Sequence, residues 1–193
     1  MVFKEKSWGS VLSFLVGAVI AVVLSLGLRH AYPRPLVTAQ AAPLVSTQPN
    51  PQVQAAMWEV AKVFGRSSGC STADPALGRM VAEAALKHQL DPRLVAATVA
   101  VESGCDPYAT STKGAIGLMQ VRASTWKDTY DFQQKVNLLN PQENLETGTD
   151  ILAGYIKKYG KVGGVTQYQG LGTGCPTCDG NYTSKILKLA EEK

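Results

Sequence analysis

At Asp74-Pro75, Asp91-Pro92 and Asn140-Pro141 a short polar residue stands immediately before a proline, and apolar residues then recur at steps of three and four. Proline has no N–H and a fixed φ, so it is accepted in the first turn of a helix and expelled from helix interiors and central strands. The Asp or Asn oxygen before it accepts one of the unpaired N–H groups of that first turn. Each pair therefore fixes a helix start. After Asp74 the apolar period is Leu77, Met80, Val81, Ala84, Ala85 and His88. After Asp91 it is Leu94, Val95, Thr98, Val99 and Glu102, closed by Gly104. After Asn140, Glu143 completes the pattern of a capping box, and Leu145, Thr149, Leu152 and Ile156 follow as far as Gly160. A last helix is expected from about Tyr182 through Ile186, Leu187 and Leu189, with loops at 113–121 and 170–180. The fold class is mostly α with little β, in a domain spanning 74–193.

The residues before Asp74 have other tasks. Val11 to Leu28 is uncharged and apolar for 18 residues, which as a helix reaches roughly 27 Å, close to a bilayer's hydrocarbon thickness. Lys4 and Lys6 precede it in the segment 1–10, and Arg29 and Arg34 follow it, so charge alone does not orient it. A cleavable signal is the rival reading, but its apolar stretch is usually shorter, and Ala39-Gln40-Ala41 lies well downstream. The preferred expectation is an uncleaved, single-pass transmembrane anchor over 11–28, with secretion as the outcome if the segment is cut. Residues 29–54 hold five prolines among small and polar residues and read as a Pro-rich linker. Residues 55–73 read as a short amphipathic helix and a loop, with Val53, Met57, Val60, Ala61 and Phe64 at helical spacing.

Charge excludes one partner class. From Pro75 onward there are 13 Lys and Arg against 12 Asp and Glu, so most of the net +4 lies upstream. A near-neutral domain is not a nucleic-acid binder, which needs a concentrated basic face. No metal or other cofactor is expected, because His30 and His88 are the only histidines and a zinc site needs ligands at suitable spacing. Cys175-Pro176-Thr177-Cys178 has redox-motif spacing without the βαβ context such a motif requires. Disulfides are the expected fate of Cys70, Cys105, Cys175 and Cys178. A local 175–178 bridge is the simplest pairing and leaves Cys70 to Cys105.

Glu102 carries the candidate chemistry. It shares a helix face with Val95, Thr98 and Val99 and lies at the helix C-terminus, where the macrodipole disfavours an anion. Both effects raise a carboxyl pKa, and a carboxyl still protonated near neutral pH is what a general acid must be. From Glu102 to Gln120 the chain reads ESGCDPYATSTKGAIGLMQ. Glu102-Ser103, Gly114-Ala115 and Gly117-Leu118-Met119-Gln120 resemble the hallmark of the soluble lytic transglycosylase (SLT) family, whose fold is lysozyme-like.

The resemblance implies an enzyme acting on peptidoglycan, with Glu102 as its catalytic acid and base. It also implies that Ser111 contacts the sugar beside the scissile bond, that Met119 forms an apolar wall for a sugar ring, and that Gln120 lines the cleft. Asn144-Leu145-x-x-Gly148 matches a largely structural element, and Tyr182 matches a late tyrosine near the catalytic glutamate. In the family's Ala-Tyr-Asn-x-Gly element Tyr168 is kept and Gln169 replaces Asn, so the sugar contact there is expected to shift. Asp106, the other acid near Glu102 in sequence, reads as a turn residue before Pro107. Glycoside hydrolysis usually employs two carboxylates, and a single one suits a lytic transglycosylase that closes a 1,6-anhydro ring on N-acetylmuramic acid. The alternatives are a goose-type lysozyme-like hydrolase and, in another class, a non-catalytic glycan-binding module. The implied partners are the glycan strands, the cytoplasmic membrane through 11–28, and an envelope machine. The implied location is the inner membrane of a bacterium, single-pass, with segment 1–10 cytoplasmic and the domain in the periplasm or wall space.

Overall fold

The computed structural model describes residues 50–72, 74–169 and 181–192. The apolar run 11–28, most of the Pro-rich linker, His30, and Cys175 and Cys178 lie outside the described residues. Six helices appear among those described: α1 (Pro51–Gly65), α2 (Pro75–Lys87), α3 (Pro92–Ser103), α4 (Ala123–Trp126), α5 (Pro141–Tyr168) and α6 (Asn181–Glu191). None is long and apolar enough to cross a membrane. Among the described residues, extended pairing is confined to isolated bridges of Ile116 with Thr110 and Val121.

The Asp-Pro and Asn-Pro starts act as their chemistry requires. Asp74 accepts the N–H groups of Ala76 and Leu77, Asp91 that of Arg93, and Asn140 those of Gln142 and Glu143. A fourth start lies inside the stretch whose proline content suggests a linker. Asn50 Oδ1 accepts the Gln52 N–H at 2.8 Å, and Pro51 opens α1. The linker therefore ends before Pro51 rather than at residue 54. Glu143 does not close a capping box on Asn140. Its carboxylate instead accepts the Asn137 N–H at 2.7 Å, tying the preceding loop to the helix. Gly160, with φ 73° and ψ 173°, breaks α5 as its position suggested, but the chain resumes helix beyond it to Tyr168. The resumed turn lies close against the first part, since a Cβ on Gly164 would sit 2.6 Å from the Ile156 Cα.

α3 is the centre of the packing. Six consecutive residues, Leu94 to Val99, are buried, the signature of a helix covered on all sides. Thr98 is accommodated because its hydroxyl donates to the Leu94 carbonyl at 2.8 Å. α1, α2 and α6 pack around α3, and α5 contacts α2 and α6. Each contributes a stripe at helical spacing, such as Ala56, Val60, Val63 and Phe64 on α1 and Thr183, Ile186 and Ala190 on α6. His88, expected in the core, sits at the α2 C-cap with its side chain 17% exposed. Its ring nitrogens lie 3.5 Å from Glu146 and 3.4 Å from Asp150.

Two devices hold the end of α3. Gly104 leaves the helix at φ 62° and Cys105 follows at φ 66°, two consecutive left-handed residues. Cys105 is bonded to Cys70, with Cα atoms 5.1 Å apart. Gly69 approaches so closely that a Cβ there would meet the Gly104 carbonyl oxygen at 2.9 Å. The staple closes a loop of sequence separation 35. On a chain-entropy account its reduction is expected to cost about 4 kcal/mol, measurable as a lower urea midpoint in the presence of dithiothreitol.

Glycines on α5 give a sharper test of the packing. A Cβ at Gly148 would lie 2.3 Å from the Met119 Cβ, whereas one at Gly154 meets nothing within 4 Å. Gly148→Ala is therefore expected to destabilise by about 1–3 kcal/mol through overpacking. Gly154→Ala should stabilise by up to about 1 kcal/mol through helix propensity. Urea unfolding of the two variants, with equal m-values, checks the contrast.

Candidate active site

Glu102 occupies the last turn of α3, one residue before the helix ends. Its carboxyl is largely buried, and burial pushes its pKa up from the ordinary carboxylate range to about 7, against the opposing effect of a hydrogen bond from Tyr182. That bond joins residues 80 apart in sequence, from α3 and the first turn of α6. Burial, the Glu102 charge and the bond itself hold the Tyr182 phenol far above its usual range, so it remains a donor. Thr183 beside it is fixed by a 3.0 Å hydroxyl contact with Thr166 of α5, which ties α6 to the resumed turn of that helix.

Tyr168, the last residue of α5, is the second phenol of the site. It is partly buried, and desolvation followed by the nearby Glu102 charge raises its pKa well above the usual value. Its hydroxyl donates to the Met119 carbonyl at 2.8 Å. The hallmark loop, α5 and the Glu102 neighbourhood are thereby joined through main chain. Gln169 caps α5, and its side-chain oxygen is buried with no hydrogen-bond partner among the described residues.

The hallmark loop itself is organised by Asn144, fully buried on α5. Its Oδ1 accepts the Met119 N–H at 2.9 Å, and its Nδ2 donates to the carbonyls of Ile116 at 2.8 Å and Leu138 at 3.0 Å. Gly117, at φ 76°, has no room for a side chain because a Cβ would lie 2.3 Å from the Asn144 Nδ2. Gln120 also turns left-handed, at φ 47°, and its amide donates to the Ala109 and Gly117 carbonyls at 3.1 and 3.0 Å. Ser111 is exposed, and its Oγ accepts the Ala115 N–H at 3.0 Å, which closes the turn and leaves the hydroxyl proton to donate outward.

Of the residues singled out from the sequence, the structure thus brings Glu102, Tyr182 and Tyr168 together. Gln120 and Ser111 shape the adjoining loop. Met119 needs correction. Its side chain is 0% exposed and packs against Gly148, so it offers no surface to a sugar ring. The part of Met119 that serves the site is its backbone, held from both ends by Asn144 and Tyr168. Sequence reasoning found the right residue and the wrong atoms, since a methionine in a glycine-rich run carries no sign of which face is open. The burial of the Gln169 oxygen was likewise invisible, as it depends on what surrounds the end of α5.

The arrangement supplies one titratable acid poised near neutrality. Asp106 is exposed, and its carboxylate accepts the Tyr108 N–H at 2.9 Å, as in an Asx-turn. Among the described residues no second carboxylate acts on Glu102, whose pKa answers only to burial and to Tyr182. Nor do those residues include a group of three or more His, Cys, Asp or Glu able to hold a metal ion. The site can therefore donate a proton and take one back through the same group.

Comparison with known proteins identifies related sequences. Residues 79–172 match the family model described as Transglycosylase SLT domain. The chain is 37% identical over 87 residues to an endo-type membrane-bound lytic murein transglycosylase A of Citrobacter koseri, covering 42% of each protein. It is 39% identical over 94 residues to a membrane-bound lytic murein transglycosylase C of Cronobacter sakazakii, covering 45% of this chain and 26% of that one. It is also 37% identical over 82 residues to a transglycosylase of Enterobacteria phage PRD1, covering 42% of this chain and 29% of the phage protein. The similarity thus spans less than half the length of these curated relatives. The matched residues 79–172 include Glu102, Asn144 and Tyr168 of this chain and stop short of Tyr182. The similarity to the Transglycosylase SLT domain family thus covers residues 79–172, just under half of the chain.

Proposed function

We propose that this protein is a peptidoglycan lytic transglycosylase that cleaves the β-1,4 bond between N-acetylmuramic acid and N-acetylglucosamine. The observation that carries the reading is a buried carboxyl with a pKa of about 7, hydrogen-bonded to a phenol, with no second carboxylate acting on it among the described residues. A hydrolase of the usual kind would place a second carboxylate opposite the first to activate water or to attack the sugar. The names of the relatives, lytic murein transglycosylases, support the same reaction.

In the first step the protonated Glu102 gives its proton to the glycosidic oxygen, and the bond from that oxygen to C1 of the muramic acid breaks. The positive charge at C1 is borne by the ring oxygen and the substrate's own acetamido group. The Glu102 carboxylate, accepting a hydrogen bond from Tyr182, then removes the proton from the C6 hydroxyl. O6 bonds to C1, leaving a 1,6-anhydro ring, and Glu102 is protonated again. No water is consumed and no further group is required. Tyr182 favours the charged form between the two steps, while burial favours the neutral form before and after. Ser111, Gln120 and Gln169 serve as polar contacts to the glycan.

The same reading extends to the rest of the chain. Residues 11–28 form a single-pass anchor in the cytoplasmic membrane, and the catalytic domain acts on the wall side within reach of the linker. Support comes from the 18-residue uncharged run and from the membrane-bound relatives. An envelope machine that needs a local opening in the wall is the partner that fits such a tether.

Mass spectrometry of muropeptides released from sacculi by the purified full chain tests the reaction. Anhydro-muropeptides are expected from the wild type and a loss of at least a thousandfold from Glu102→Gln, which keeps the shape but not the proton. Reducing ends in place of anhydro ends would identify a goose-type hydrolase, and sacculus binding without release would identify a glycan-binding module.

The pH profile tests the acid. Ionisation of Glu102 removes the proton donor, so the rate is expected to fall tenfold per pH unit above about 7. Tyr182→Phe removes the one hydrogen bond that favours the carboxylate. It should therefore move this alkaline limb to higher pH while lowering the maximal rate, and a limb displaced to lower pH would contradict the assignment.

A further inference from the structure

We propose that Tyr108 is a further substrate contact, its ring a stacking platform for a pyranose ring of the glycan strand near the bond that Glu102 protonates. The proposal rests on the reading of the site as a glycan-cleaving one. Tyr108 is 67% exposed, and neither its ring nor its hydroxyl has a partner among the described residues. An exposed aromatic ring alone needs no explanation, and Trp58 is as exposed at 69% on α1, a helix that contributes no residue to the site. What distinguishes Tyr108 is where it stands and how firmly it is mounted.

It lies six residues after Glu102 and three before Ser111, in the segment that carries the chain from the acid to the hallmark loop. Each step of that segment is tied down. Cys105 is stapled to Cys70, and Gly104 is pressed against Gly69. Pro107 has a fixed φ. The Tyr108 N–H donates to Asp106 Oδ1 at 2.9 Å, and the Ala109 N–H donates to the Asp106 carbonyl at 3.3 Å. The Ala109 carbonyl then accepts both the Gly117 N–H, at 2.8 Å, and the Gln120 amide. A short loop with this many constraints holds the backbone of one aromatic residue still while leaving its side chain in water.

That combination suits a carbohydrate. A pyranose ring presents an apolar face of C–H groups and a polar rim of hydroxyls, and an aromatic ring with a polar tip matches both. Because the backbone is fixed and a tyrosine has few rotatable bonds, little entropy is lost when a sugar stacks on it. The ring takes no part in proton transfer, so its contribution belongs to binding.

Steady-state kinetics of the full chain, with Tyr108→Ala, Tyr108→Gln and Tyr108→Phe, test this on intact glycan strands and on strands stripped of their peptides. Both truncating variants should raise KM about three- to tenfold on the two substrates alike, the size expected of one stacking contact. Their kcat, melting temperature and alkaline limb should stay where the wild type has them, and Tyr108→Phe should bring KM back within twofold. Wild-type KM in both truncating variants would overturn the proposal. So would a loss confined to kcat, which would mean that the loop positions Glu102, or a loss confined to peptide-bearing strands, which would mean a peptide contact. A wild type that releases no anhydro product would instead refute the transglycosylase reading itself.

Discussion

The side chain of Asn144 is the interaction on which the rest of the site depends. A loop of hallmark residues rich in glycine has few side chains with which to fix itself, and its backbone groups would be left unpaired where they are buried. One amide on a neighbouring helix resolves this by serving an N–H and two carbonyls at once. Removing it would strand the Met119 N–H and the Leu138 carbonyl, each costing about 1–3 kcal/mol when buried without a partner, while the Ile116 carbonyl would keep the Val121 N–H. The glycines follow from the amide: Gly117 leaves room for it, and Gly148, one helical turn further along α5, leaves room for the Met119 side chain. The loop is thus shaped from α5, and its sequence looks permissive only because its constraints lie elsewhere.

From that point the electrostatics of the site can be followed outward. Asn144 fixes Met119, the Met119 carbonyl fixes the Tyr168 hydroxyl, and Tyr168 lies near enough to Glu102 to feel its charge. Glu102 itself is held between opposed influences, the desolvation that favours its proton and the Tyr182 hydroxyl that favours its release. A carboxyl buried without such a donor would be too weak an acid to give its proton readily, and one fully hydrated would have lost it before reaching the substrate. Both phenols are neutral by a wide margin. The titration of the site near neutral pH is therefore that of one residue.

Much of this was legible in the sequence, and for physical reasons. Asp-Pro and Asn-Pro starts identify helices because proline tolerates so few other positions, and Asn50-Pro51 shows the signal holding even within a stretch whose composition suggested a spacer. Glu102 could be singled out because its helix face and its place near a helix end are local properties. What could not be read were properties of packing. The burial of Met119, the bond of Glu143 to Asn137 in place of a capping box, and the resumption of α5 beyond Gly160 all depend on where distant segments lie. Tyr108 drew no notice for a similar reason, since exposure is decided by what fails to cover a residue.

The raised pKa of Glu102 also bears on how strongly the fold holds together. In the unfolded chain this carboxyl would titrate near 4.5, and in the folded protein near 7. Between those values the native state keeps a proton that the unfolded state has released. The stability this contributes is complete below pH 4.5 and is lost as pH rises through 7, an amount on the order of 3 kcal/mol. A reactive acid is thus a standing weakness at the very pH where it works. The covalent bond between Cys70 and Cys105 adjoins the end of the same helix, and its worth of about 4 kcal/mol on a chain-entropy account is of the size needed to offset that loss. The staple and the acid can be understood as a matched pair, one restoring near the site what the other takes away.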